Sequence, residues 1–195
     1  MKPFLSSTPY PSAPLLVCLD LQREQTGRAA GSDAASAARC VENCKRVLRH
    51  ARAVGWQIAH VQRHDGRLIG LPEVLRPIEG LEPRAREPVF YREGPSAFAS
   101  VGFRDHVERL GEPRLIVIGF SLDASVLFTV VSSFELGLSV TVVEGALAAP
   151  SMRRLSGETT ETVLLGVLST YAEVISPDEL LEAGAPALVQ AANHP

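Results

Sequence analysis

Short apolar runs alternate with longer stretches of helical spacing from residue 14 onward. Leu15, Leu16, Val17, Cys18 and Leu19 follow Pro14 without a polar break and stop at Asp20. Such a run predicts a strand buried on both faces. A polar, Gly-containing loop then reaches about Ser32. Ser32 or Asp33 can cap a helix whose apolar positions recur at Ala37, Cys40, Val41, Cys44, Val47, Leu48 and Ala51 and which stops at Gly55. Further strands are predicted at Trp56 to Val61, Val89 to Tyr91, Leu115 to Ile118, Ser139 to Val143 and Ala172 to Ile175. Helical spacing fills the intervals. It covers Ala97 to Leu110, a segment capped by Asp123 and closed by Gly137, residues 158 to 170, and Pro177 to Ala183. The stretch leading to Gly157 reads as flexible.

This alternation predicts right-handed β-α-β crossovers and a sheet covered on both sides. The expected fold class is α/β, a three-layer α/β/α sandwich around a six-stranded, mainly parallel sheet. No repeat, low-complexity block or linker divides the chain, so residues 1–195 read as a single domain with an N-terminal arm over 1–13. Residues 65 to 87 form a long connection rich in Gly, Pro and charge, a length usually reserved for a lid or an oligomer contact.

Composition narrows the function. With 46% hydrophobic and 21% charged residues the chain is an ordinary globular one. A net charge of −3 gives no general attraction to nucleic acid or an anionic membrane. No apolar run is long enough to span a bilayer, and the Ser/Pro-rich start lacks the basic and apolar regions of a signal peptide. Cys18, Cys40 and Cys44 make no disulfide framework, so a reducing cytoplasm is the expected compartment. No Gly-rich phosphate loop is present, and no organic cofactor is implied.

In an open parallel sheet, ligands bind at the carboxyl ends of strands near the point where strand order reverses. Asp20 closes the first strand, Arg92 follows the third, and Ser125 lies in the first helical turn after the fourth. Strand, turn, nucleophile-type residue and helix N-terminus together can hold an oxyanion on free main-chain N–H groups. By pattern alone each residue has a structural alternative: a loop-capping carboxylate, a surface ion pair, and a packed helical turn.

The joint order of three segments resembles the isochorismatase-like superfamily, which includes nicotinamidases, carbamoylsarcosine-type amidohydrolases and isochorismatases. The first segment is Leu15 to Asp20, followed by Leu21 and Gln22. The second runs from Val89 to Phe98, where the family places a lysine six residues before the Phe of a Ser-Ala-Phe motif. The third runs from Gly119 to Thr129, where the family places a cysteine six residues after the Gly and a Thr four residues further on. The resemblance covers about residues 14 to 182. It implies a hydrolase acting on a small molecule, a homo-oligomer such as a dimer or tetramer, and a site with catalytic Asp20, Arg92 and Ser125. Gln62, Ser121, Ala124 and Phe98 are the implied substrate- or oxyanion-binding residues.

The departures from the pattern fall on the chemistry. Arg92 stands at the family lysine, Ser125 at the family cysteine, and a third position, usually aspartate, falls at Gly145. A hydroxyl is far harder to ionise than a thiol of pKa about 8.5 and needs a base beside it. Arg92 cannot accept a proton, which leaves Asp20. Three readings stand open: an acyl hydrolase of a C–N (amide or imide) bond using Ser125 or a water activated by Asp20; an isochorismatase-type vinyl-ether hydrolase with Asp20 as proton donor; and a non-catalytic binding or oligomer-forming relative.

Other residues are left with structural roles. His60, His64 and Asp65 lie where nicotinamidases place a metal site, but the full ligand set is not present, so no metal is expected. Gln62 and Arg63 share that strand end and could meet a polar substrate. Cys40 and Cys44 fall on the core face of their helix, and Cys18 lies within a buried strand. Arg153 and Arg154, beside Met152, read as solvated surface.

Overall fold

The run Leu15–Leu19 forms strand β1, and its two sets of alternating side chains feed two different cores. In the computed structural model, residues 13–28, 32–63 and 73–183 are described. Strands β2 (Gln57–Arg63), β3 (Val89–Arg92), β4 (Leu115–Phe120), β5 (Val140–Ala148) and β6 (Glu173–Ile175) complete a six-stranded sheet in the order β3-β2-β1-β4-β5-β6. Every pairing is parallel. Helices α1 (Arg23–Arg28), α2 (Ser32–Val54), α3 (Val101–Arg109), α4 (Leu127–Glu135), α5 (Gly157–Leu168) and α6 (Pro177–Ala183) connect or follow the strands.

Leu15, Val17 and Leu19 pack with Phe103 and Val107 of α3, Val130 of α4 and Leu168 of α5. Leu16 and Cys18 face the other way, against Cys40, Cys44, Val47, Leu48 and Ala51 of α2 and Leu180 of α6. Burial on both faces is why the strand reads as continuously apolar rather than alternating. The three cysteines lie in this second core. The Cys44 thiol donates to the Ala146 carbonyl at 3.3 Å.

Several boundaries differ from the sequence reading. The polar loop after β1 contains the short helix α1. β2 runs on to Arg63, which makes His60 a mid-strand residue. Arg92 is the last residue of β3 rather than its successor. The segment 97–110 breaks into a 3-10 turn, Ala97–Ala99, and α3, because Ser100 adopts an extended conformation between them. The helix placed after Asp123 opens instead with a π-turn, Leu122–Val126. Ser121 takes the cap position without a side-chain cap bond, and Asp123 lies inside the turn. The stretch read as flexible after Val143 continues β5, because Ala146, Leu147 and Ala148 are apolar and buried. Gly145, at φ 71°, lies within that strand and accepts from Asn43 Nδ2 at 3.0 Å. The N-terminal arm, His64 and Asp65 lie outside the described residues.

β1 and β4 are neighbours, while the chain reaches β2 and β3 on one side and β5 and β6 on the other. Strand order therefore reverses between β1 and β4. Gly119 makes that junction possible. It adopts φ 120°, and a Cβ there would lie 2.0 Å from the Leu19 carbonyl oxygen. Any other residue would push β4 away from β1 just where both strands deliver their polar termini.

β3 is anchored by a buried charged cluster. Glu87 accepts from Arg52 of α2 at 2.7 and 2.8 Å, from the Arg84 N–H at 3.0 Å, and lies 3.0 Å from His60 Nε2. Burial alone would push the Glu87 carboxyl up, but the hydrogen bonds from Arg52, the Arg84 N–H and His60 outweigh it and hold its pKa at about 2 against an ordinary 4.5. Burial lowers the pKa of His60, partly offset by Glu87. Both depressed groups contribute stability that is present above their unfolded values and lost on acidification. For His60 the loss begins below pH 6.5, and for Glu87 it extends from 4.5 to about 2. Glu87→Gln is expected to lose on the order of 2 kcal/mol at neutral pH. Urea denaturation as a function of pH should show the gap to wild type closing between 4.5 and about 2; a gap independent of pH would refute this account.

Candidate active site

The carboxyl ends of β1, β3 and β4 bring Asp20, Arg92 and Ser125 into contact. Asp20 directly follows β1 with a positive φ of 45°, which turns its side chain out of the strand path at the reversal point. Ser125 comes from the π-turn that follows β4, beyond a cis peptide between Phe120 and Ser121. Arg92 starts two strands away from Asp20, a span of about 10 Å at ordinary strand spacing, and only a long side chain can cross the end of β2.

The three polar heads close a triangle. The Ser125 hydroxyl donates to Asp20 Oδ2 at 2.6 Å. Arg92 Nη2 donates to both Asp20 Oδ2 and Ser125 Oγ, and Nη1 donates to the Gly94 carbonyl. The Arg63 N–H donates to Asp20 Oδ1 at 2.9 Å. All three side chains are at least 95% buried: Asp20 is 2% exposed, Arg92 4% and Ser125 5%. A buried charge of either sign without its partner would cost several kcal/mol, so neither Asp20 nor Arg92 could occupy this position alone.

A cavity of about 350 Å³ opens over the triangle. Ser121 and Ala124 line it along with the three catalytic candidates. Gln62 and Phe98 do not. Gln62 is buried on β2, and Phe98 packs edge-on against Phe103 with ring centroids 5.2 Å apart. The Ala124 N–H closes the turn onto the Ser121 carbonyl at 3.2 Å, so it is already engaged. Arg63, noted at the strand end, does line the cavity.

Gln25, Glu93 and Pro95 also line it and were not foreseen. Glu93 and Pro95 lie inside the segment that carries the resemblance, which offered a signal. Gln25 lies on α1, in a stretch that reads as loop, and nothing in the sequence points to it. Thr129 has a positioning role. Its Oγ1 accepts from the Ala97 N–H at 2.9 Å, locking α4 onto the turn that follows β3.

His60 is buried against Glu87, away from the cavity. Among the described residues, no group of three or more His, Cys, Asp and Glu could hold a metal ion. Arg153 and Arg154 are exposed in a tight turn closed by Met152 and Leu155. Among the described residues, no helix is long and apolar enough to cross a membrane.

Comparison with solved structures returns the same architecture. An isochorismatase from Pseudomonas putida KT2440 superposes with a TM-score of 0.78 at 25% identity, over 89% of this chain and 93% of that one. A hydrolase of the isochorismatase family from Chromobacterium violaceum matches at 0.75 and 24% identity, over 91% and 98%. A cysteine hydrolase from Pseudomonas syringae pv. phaseolicola matches at 0.75 and 16% identity, over 94% and 97%. No curated protein sequence matches the chain. The sequence profile of the isochorismatase domain matches residues 14–176, most of the chain, which therefore belongs to the isochorismatase family.

Proposed function

We propose that this chain hydrolyses a small amide- or imide-type C–N bond with Ser125 as the attacking oxygen and Asp20 as its base. The observation that carries the reading is the 2.6 Å hydrogen bond from the Ser125 hydroxyl to Asp20 at the floor of an open cavity. A nucleophile needs a base within this reach. Asp20 takes the Oγ proton as Oγ attacks the carbonyl carbon. The same proton passes to the departing nitrogen as the C–N bond breaks. Water, deprotonated by Asp20, then cleaves the acyl ester and restores Ser125.

Arg92 cannot relay protons. Its fixed fork instead holds Asp20 in line and stabilises negative charge developing on Oγ, where a low-dielectric setting strengthens the effect. The main-chain N–H of Ser125 meets the carbonyl oxygen as it becomes an oxyanion. The geometry favours this reading over acid catalysis on a vinyl ether. Asp20 accepts from Arg92, Ser125 and the Arg63 N–H, a setting suited to an acceptor rather than a proton donor.

The reading includes self-association. Phe134, Leu136, Val163, Val167 and Tyr171 remain exposed on or beside α4 and α5, and Phe134 meets Tyr171 edge-on with ring centroids 5.2 Å apart. Exposed apolar side chains gathered on neighbouring elements can mark interaction surfaces, and a second copy would cover them without pairing any charge. Light scattering at micromolar concentration should give a dimer or larger, and Phe134→Glu should shift it towards monomer. A monomeric wild type would remove this part of the proposal.

A screen of small amides, imides and isochorismate tests the chemistry. Ser125→Ala and Asp20→Asn should each lower kcat/KM by a factor of ~100 or more, with melting curves confirming that both variants fold. Loss in Asp20→Asn alone would make water the nucleophile. If Arg92→Lys combined with Ser125→Cys raises turnover, the pocket accepts the thiol chemistry of its relatives. A rate unaffected by Asp20→Asn would overturn the assignment.

Wild-type activity should also survive iodoacetamide. Cys18, Cys40 and Cys44 are buried, and burial raises the pKa of both Cys18 and Cys44 well above that of an ordinary thiol. Stoichiometric inactivation traced by mass spectrometry to any of the three would show the nucleophile to be misplaced.

A further inference from the structure

Among the described residues, the charged side chains lining the cavity over Ser125 are Asp20, Arg63, Arg92 and Glu93. They divide into an inner and an outer set. Asp20 and Arg92 are buried and neutralise each other. Arg63 and Glu93 are exposed, and among the described residues neither side chain is ion-paired or hydrogen-bonded, to the other or to a third group.

The sheet holds these two open charges side by side. Arg63 ends β2, Arg92 ends β3, and the two residues are direct partners across the strands. Glu93 therefore lies one residue beyond the partner of Arg63. Neighbouring strands run about 4.8 Å apart, so the two backbones are separated by little more than one strand spacing. The Arg63 N–H donates to Asp20 Oδ1 at 2.9 Å, which fixes the Arg63 main chain against the carboxylate at the cavity floor. One unpaired cation and one unpaired anion thus border a cavity whose floor carries no net charge.

We infer that Arg63 and Glu93 determine specificity by receiving a zwitterionic head, the carboxylate and ammonium of an α-amino acid, with the carboxylate at Arg63 and the ammonium at Glu93. The inference deepens the hydrolase reading and rests on it for the position of the scissile bond. The guanidinium fork offers a carboxylate two parallel N–H donors, and the Glu93 carboxylate accepts from an ammonium. A substrate with a single charge would satisfy one of the two residues and be repelled by the other, whereas a zwitterion satisfies both. A neutral carboxamide suits the neutral floor. The substrate class is an amino acid that carries a carboxamide on a short methylene chain, with the carbonyl over Ser125 and the nitrogen leaving as ammonia.

A closed set of probes tests this. L-Glutamine carries both charges, 4-carbamoylbutanoate lacks the ammonium, 4-aminobutanamide lacks the carboxylate, and butanamide lacks both. Isothermal titration of the full chain should show glutamine binding about fivefold more tightly or better than either singly charged probe, the scale of an ion pair partly sheltered from water. In Arg63→Gln the advantage of glutamine over 4-aminobutanamide should fall to within about twofold, while its advantage over 4-carbamoylbutanoate persists. Glu93→Gln should do the reverse. The ratios are compared within each variant, so a general loss of affinity does not imitate the result. Each variant tests its own half of the site, and if one fails to fold the other still decides. Glu108→Gln, an exposed change on α3, should keep both ratios.

Equal affinity of the wild type for all the probes overturns the inference, as do ratios that survive in the Arg63 and Glu93 variants. Failure of glutamine to bind at concentrations up to about 10 mM overturns it as well. Ammonia release reads turnover separately. Hydrolysis of neutral amides with no preference for the zwitterion would leave the hydrolase and remove the amino-acid subsite. A preference lost in the two variants, with no amide turned over by the wild type, would leave the subsite and remove the hydrolase.

Discussion

The close approach of β4 to β1 at Gly119 is the constraint on which the site depends. A side chain at this position would collide with the Leu19 carbonyl. Without the approach, β1 and β4 could not meet at the point where strand order reverses, and Asp20 and the Ser121–Ser125 turn would not share a wall. The pairing of Leu19 with both Val61 and Gly119 places Asp20 between the ends of two neighbouring strands. The chemistry thus rests on a backbone contact within the sheet rather than on a mobile loop.

Around this junction the protein buries opposite charges that are expensive to bury separately. Asp20 and Arg92 are each tolerated because the other is present, and Ser125 and the Arg63 N–H give the carboxylate two further donors. A second charged cluster, Arg52, His60 and Glu87, holds the segment leading into β3. Through β3 it sets where Arg92 begins its reach across β2. Loss of this distant anchor would therefore be felt among Asp20, Arg92 and Ser125 as misplacement of a guanidinium.

Arg92 and Ser125 form a coherent pair around Asp20. Arginine supplies a planar fork able to hold a carboxylate and a hydroxyl at once, and serine supplies a hydroxyl small enough to fit beneath it.

The alternation of apolar runs with helical spacing sufficed to determine the layered α/β architecture, because strands buried on both faces leave a signature that only a covered parallel sheet explains. Strand ends marked Asp20, Arg92 and Ser125 as candidates, but by pattern alone each had a structural alternative, and the family resemblance was what joined them. What local pattern could not decide were features created by contacts between distant segments. Glu144 and Gly145 hid the continuation of β5 because a polar residue and a glycine look like a loop until Asn43 of α2 is placed against them. His60 read as the end of its strand until Glu87 met it in the interior. Gln25 carried no signal, since its role comes only from where α1 packs. Phe98 turned to the core because Phe103 was there to receive it. The sequence by itself determined the alternation of strands and helices, if not every boundary, and which polar residues fall near the strand ends. Only the tertiary structure decided which of those residues meet, because a hydrogen bond between Asp20 and Ser125 spans most of the sheet's connectivity and exists only once β4 has closed on β1.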